Sequence, residues 1–145
     1  MGRLTILMGA PGSGKSTWAG GRDGRGEVVS TEGARVDPGA AGEVMSTAYR
    51  RIKELLANDE HVIFDTCAAS PGARKAALKI AREHSAEVDV TVFDTPVEDC
   101  LEAQRTREHP VPDETVRRYH ADIRRQIPAL ASEGFRRVKI IRRAR

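Results

Sequence analysis

A chain of 145 residues, 39% hydrophobic and 31% charged, holds enough material for one three-layer domain and lacks the bias of a disordered or low-complexity segment. No apolar run approaches the roughly 20 residues of a membrane span, and Met1–Met8 runs too soon into glycine to be a signal peptide, so a cytoplasmic protein with no membrane partner is expected. Cys67 and Cys100, with no CxxC and no histidine beside them, exclude a zinc site or disulfide framework and read as free thiols. The net charge of +3 is concentrated late, in Arg117-Arg118, Arg124-Arg125, Arg136-Arg137 and Arg142-Arg143, which suits either a polyanionic partner or solvated helix faces.

The first element, Arg3 to Met8, is a short apolar run with branched residues that stops at Gly9, the pattern of a buried parallel strand. Similar runs follow at Glu27 to Ser30, His61 to Asp65, Val88 to Asp94 and Arg137 to Ile141. Helical spacing fills the intervals. From Ala40 to Asn58, Val44, Ala48, Ile52, Leu55 and Leu56 share one face. A helix with Ser70 as N-cap and Pro71 at its first position runs to about Ser85. Another spans about Pro96 to Glu108, Pro110 and Pro112 break it, and a last one begins near Asp113 and reaches about Pro128. Strands alternating with helices predict a single α/β domain over residues 1–145, a parallel sheet of about five strands covered on both faces. In such a sheet ligands bind beyond the carboxyl ends of the strands.

Gly9-Ala10-Pro11-Gly12-Ser13-Gly14-Lys15-Ser16 fits G-x-x-x-x-G-K-[ST], directly after a predicted strand and before a helix starting around Lys15 to Trp18. Its glycines let successive backbone N–H groups turn inward on phosphate oxygens, aided by the positive helix end. Lys15 suits the outer phosphates and the Ser16 hydroxyl a Mg2+ ion that accompanies ATP or GTP. Thr17 completes the phosphate-binding set. The loop leaves open whether the terminal phosphate goes to water, a small molecule or a polymer.

After the second strand, Ser30-Thr31-Glu32-Gly33-Ala34-Arg35 sets a carboxylate and a guanidinium three residues apart. A carboxylate there suits proton acceptance from an attacking hydroxyl, and Arg35 suits a two-bonded phosphate of the acceptor. Asp65 and Thr66 end the third strand, where an Asp suits a water of the magnesium shell. Arg105 and Arg107 precede Pro110-Val111-Pro112, where they suit neutralisation of developing phosphate charge. The four histidines lack metal-ligand spacing and read as surface residues or strand punctuation. Trp18 reads as core packing.

These segments, together with Val62-Ile63-Phe64-Asp65-Thr66, Val92-Phe93-Asp94 and Val111-Pro112 before an arginine-bearing helix, make the chain resemble the kinase module of phage and bacterial polynucleotide kinases. The resemblance spans most of the sequence. It implies the three-layer P-loop kinase fold with a small lid at approximately residues 105–113, and phosphate transfer from ATP or GTP to the 5'-hydroxyl end of DNA or RNA. It also implies Glu32 as general base, where the family usually has Asp, with Asp37 as the fallback. Arg35, Asp65 and Thr66 would form the acceptor pocket, and Val111 would pack against the terminal base or sugar. Cys67 stands where the family often has Asn. The length suggests a stand-alone kinase. A small-metabolite or nucleoside kinase and a nucleotide-dependent nucleic-acid-binding module with little turnover are the alternatives.

Overall fold

The computed structural model describes residues 2–19, 26–31, 38–66 and 70–142. Among them are five strands, β1 (Arg3–Gly9), β2 (Glu27–Ser30), β3 (His61–Asp65), β4 (Glu87–Phe93) and β5 (Arg137–Ile141). The α-helices are α1 (Lys15–Ala19), α2 (Ala41–Ala57), α3 (Pro71–Glu83), α4 (Val97–Gln104) and α5 (Asp113–Gln126). Two short 3-10 segments, Pro38–Ala40 and Ile127–Ser132, lead into α2 and out of α5.

All strands run parallel in the order β2-β3-β1-β4-β5. Strand order reverses at β1, so the loop that follows it opens at the switch point where α/β sheets hold ligands. Register brings the strand ends together: Leu7 faces Asp65, Gly9 faces Phe93, and Ser30 pairs with Asp65.

Alternation along the strands divides the apolar side chains between two layers. Leu4, Ile6, Met8, Val62, Phe64, Val88, Val90 and Val92 face α2, α3, α4 and α5 in the main core. Leu7, Ile63 and Phe93 form a smaller cluster with Ala19 of α1, flanked by Trp18 and Ile141. Trp18 meets Phe93 edge to face with centroids 6.0 Å apart, as expected of a packing residue. Both strand faces are thus buried, which is why the central strands read as nearly unbroken apolar runs.

Several boundaries differ from expectation. Ser70 is extended at the N-cap position of α3, yet its side chain makes no cap bond; Pro71, preset for helix, opens the segment. α4 ends at Gln104, short of Glu108, because the Arg105 and Arg107 N–H groups close tight turns on Glu102 and Gln104. After Gln126 the chain tightens into the 3-10 segment, which carries Pro128 through the end of that helix. Of the histidines, only His109 is simply exposed. His61 pairs with Thr5 Oγ1 at 2.9 Å, the His84 ring lies 2.9 Å from the Ile80 carbonyl, and His120 Nε2 donates to the Thr95 carbonyl at 2.9 Å.

Candidate active site

The backbone between β1 and α1 forms the expected anion cradle. Gly12 and Gly14 take positive φ values of 85° and 102°, which a side chain would strain. At Gly9 an added Cβ would lie 2.5 Å from Ser13 Oγ and 3.2 Å from Lys15 Cδ, so its bareness lets both fold over the end of β1. Ser13 N–H donates to Ala10 O at 3.0 Å, and Lys15 Nζ donates to the same carbonyl at 3.4 Å. Lys15 is only 7% exposed: its ammonium is held against the loop. Ala10 and Pro11 are buried and Thr17 is exposed; the Ser16 side chain lies outside the described residues.

The loop is braced by the segment that follows β4. Thr95, 4% exposed, donates its hydroxyl to Ser13 O at 2.7 Å. Because C=O and N–H of a trans peptide point in opposite directions, that bond turns the Gly14 N–H away from Thr95. His120 of α5 in turn holds the Thr95 carbonyl. Cys100, in the middle of α4, is a free buried thiol, as expected, with Sγ 3.9 Å from Thr95 O. Burial pushes its pKa up to about 11, partly opposed by the nearby Lys15 charge. None of Thr95, Cys100 or Gln104 belongs to a motif. Thr95 had one signal, its place just past a strand's carboxyl end.

Asp65, 8% exposed, ends β3 beside the loop; its carbonyl accepts the Thr31 N–H at 3.2 Å. Thr66 is half-buried next to it. Glu32, Arg35 and Asp37 lie outside the described residues, as does Cys67. The structure thus brings Lys15 and Asp65 to adjoining strand ends, and Thr31 leads from β2 toward the Glu32 segment. Arg105 is exposed and ion-paired to Glu102 at 2.8 Å; Arg107 is half-buried in the turn after α4. Val111 packs on the main core and donates its N–H to Gln104 Oε1 at 3.0 Å.

Beyond β4 and β5 a cleft of about 470 Å³ is lined by Asp94, Pro96, Val97, Glu98, His120, Arg124 and Arg142. Asp94 takes Arg142 at 3.3 Å and Arg124 at 3.8 Å, which neutralises its nearly buried carboxylate. A further buried charge lies against β1: Arg74, fully buried, forks onto both carboxylate oxygens of Glu133 at 2.8 and 2.9 Å and approaches Met8 Sδ. Among the described residues no group of three or more His, Cys, Asp or Glu is arranged to hold a metal, and no helix is long and apolar enough to cross a membrane.

Comparison with known proteins gives this geometry a family. No curated protein matches the chain in sequence. Among solved structures it is similar to a chain of the Pnkp1/Rnl/Hen1 RNA repair complex, with TM-score 0.75 and 23% identity over 89% of this chain and 46% of that one. A second structure of the Pnkp1/Rnl/Hen1 complex aligns with TM-score 0.61 and 27% identity over 77% of this chain and 41% of that one. The chain therefore spans under half the length of these two relatives. A sugar kinase from Janibacter sp. HTCC2649 aligns with TM-score 0.63 and 19% identity over 99% of this chain and 86% of that one. The parallel sheet with its glycine-rich loop at the switch point is the P-loop kinase fold, and the match to the AAA domain family runs over residues 4–127, so the chain belongs to that family as a P-loop kinase-like domain.

Proposed function

We propose that the protein transfers the γ-phosphate of ATP or GTP to the 5'-hydroxyl end of DNA or RNA. The observation that carries the reading is the braced cradle between β1 and α1, with Lys15 held at its mouth and the ends of β2 and β3 beside it. The two RNA repair complexes among the similar structures support a nucleic-acid acceptor, as do the arginine pairs of the last third of the sequence.

In this reading the loop amides and Lys15 hold the phosphates, with Lys15 exchanging its bond to the Ala10 carbonyl for phosphate oxygen. Ser16 would hold Mg2+, a hard cation suited to hydroxyl and phosphate oxygens, with the Asp65 carboxylate on a water of its shell; when bound it supplies charge neutralisation at the transferring phosphate. Glu32 accepts the proton of the attacking 5'-hydroxyl as its oxygen bonds to phosphorus, and the diphosphate leaves. Arg35 fixes the acceptor's own phosphate, Thr66 and Val111 lie on the acceptor side, and Arg105 and Arg107 neutralise charge at the departing oxygen. Catalysis is then mostly positioning and electrostatics.

The sugar kinase aligned over nearly the whole chain favours a second reading, a small-molecule hydroxyl acceptor. Radiolabelled γ-phosphate transfer to a panel of 5'-hydroxyl oligoribonucleotides, oligodeoxynucleotides and sugars separates the two. Label on oligonucleotide ends that collapses in Glu32→Gln is the expected outcome; label on sugars alone overturns the nucleic-acid reading.

A further inference from the structure

The outward face of α5 is built largely of arginine. Val116 and Ile123 bury its inner face, which turns Arg117, Arg118, Ala121, Arg124 and Arg125 to solvent at helical spacings of three and four. Arg125 is answered by Asp122. The negative end of the helix dipole favours Arg124 and Arg125 in the last turn, but that effect fades within a turn and does not reach Arg117 and Arg118. Asp113 and Glu114 stand four positions before those two, within helical reach. Even so, among the described residues neither Arg117 nor Arg118 is ion-paired; Arg118 only lies 5.9 Å from the centre of the adjoining Tyr119 ring.

The strip ends at the cleft beyond β4 and β5. There Arg124 and Arg142, 62% and 71% exposed, converge on the single carboxylate of Asp94, itself 9% exposed, at 3.8 and 3.3 Å. Both distances exceed the roughly 2.7–2.9 Å of a charge-assisted bond, so each guanidinium keeps donors for a second anion. Two cations on one carboxylate also leave a positive charge over; Glu98, exposed at the start of α4, is the remaining acid of the lining. The cleft adjoins the phosphate loop, because the residue after Asp94 is Thr95, whose hydroxyl holds Ser13 O. From Arg117 to Arg124 is about 10 Å along the helix, the length of about three nucleotide steps of a duplex strand. We infer that the outward arginines of α5 and Arg142 form a sequence-independent track for the phosphate backbone of a polynucleotide, which holds the body of the acceptor strand while its 5' end is at the loop. Charge complementarity selects this occupant: a row of cations matches a chain of evenly spaced phosphates. The inference rests on the proposed nucleic-acid acceptor and adds the surface that grips it.

The test is fluorescence anisotropy with 5'-hydroxyl oligonucleotides of about 20 nucleotides, labelled at the 3' end, across a range of salt. Each phosphate contact contributes about 0.7 to the slope of log affinity against log salt on single strands, so Arg117→Gln with Arg118→Gln should lower the slope by about 1.4 and weaken binding about 25-fold in about 0.1 M salt. The loss should be the same on unrelated sequences, since backbone contacts carry no base readout. Arg124→Gln with Arg142→Gln should act alike. Arg50→Gln with Lys53→Gln removes the same charge from exposed positions of α2 and should change neither quantity. In the transfer assay the arginine variants should raise KM for the long acceptor, leave KM for ATP alone and spare a dinucleotide too short to reach α5. Slope and affinity unchanged in both arginine pairs, or an equal loss in the α2 control, would overturn the inference, as would a wild-type protein that binds no oligonucleotide. Arginine-dependent binding without label transfer would leave the track standing and sink the proposed reaction; transfer to oligonucleotide ends with wild-type binding in the variants would sink the track alone.

Discussion

Gly12→Ala tests how tightly the phosphate loop is built against α4. The new methyl would meet the Cys100 carbonyl at 2.5 Å and Gln104 Nε2 at 2.9 Å, and the first of these is helix backbone that has no rotamer to change. The site also holds φ at 85°, where an L side chain costs about 1–2 kcal/mol. Overpacking against a rigid neighbour adds about 1–3 kcal/mol. The expected loss is thus about 2–5 kcal/mol, a large part of the roughly 5–15 kcal/mol that holds a domain folded. For a chain of this size that lowers the melting temperature by roughly 5–15 °C. Trp18, the sole tryptophan, lies one turn beyond Lys15 and against Phe93, so its fluorescence reports both unfolding and loop occupancy. Nucleotide affinity should fall well beyond what the stability loss explains, because the amides of residues 12–15 no longer converge. As a control, Gly42 in the first turn of α2 has nothing within 4 Å of an added Cβ, and Gly42→Ala should be neutral or stabilising. A Gly12→Ala protein that melts and binds nucleotide like the wild type would refute the reasoning.

Thr95→Val removes the hydroxyl that pins Ser13 O while preserving shape; urea unfolding should show a loss of about 1 kcal/mol with weaker nucleotide binding, and Thr95→Ser should recover both. Glu133→Ala removes the two-bonded carboxylate partner of the fully buried Arg74 and should cost about 1.5–3 kcal/mol in the same assay. The Cys100 thiol, raised by burial from 9.0 to about 11, titrates later in the folded chain than in the unfolded one. Its contribution to stability is whole below pH 9 and is lost as pH rises toward 11, by up to about 1.4 kcal/mol per unit. Denaturant midpoints followed through that window should show the slope in the wild type and a shallower one in Cys100→Ala, where the Tyr49 hydroxyl, also raised by burial, still contributes in the same direction.

The strands were legible because a parallel sheet buried on both faces writes itself as apolar runs: β2, β3 and β5 fall where the pattern put them, and β1 and β4 within one residue. Helix ends were not, because tertiary contacts set them. Residues 105–108 have helix-compatible composition, yet the chain leaves α4 at Gln104, whose side chain is spent on Val111. The backbone of the glycine-rich loop was legible, since its local glycine pattern dictates the positive φ values at Gly12 and Gly14. Arg74, Thr95, Gln104 and His120 carry no local pattern; each owes its role to a partner 7 to 82 positions away in the chain.

Those distant partners decide what the motif can do. A glycine-rich loop alone is a flexible turn, and its amides would have to be collected around a phosphate at an entropic cost. Here the cost is met during folding. Thr95 fixes the peptide after Ser13, the α4 backbone blocks outward movement at Gly12, and His120 ties that brace to α5. Donors fixed before the ligand arrives need little reorganisation when charge develops on the phosphate, which is where electrostatic catalysis gains most. The rigid half of the site is thus written in β4 and α4 as much as in the loop, and substitutions there should reach nucleotide binding without touching nucleotide.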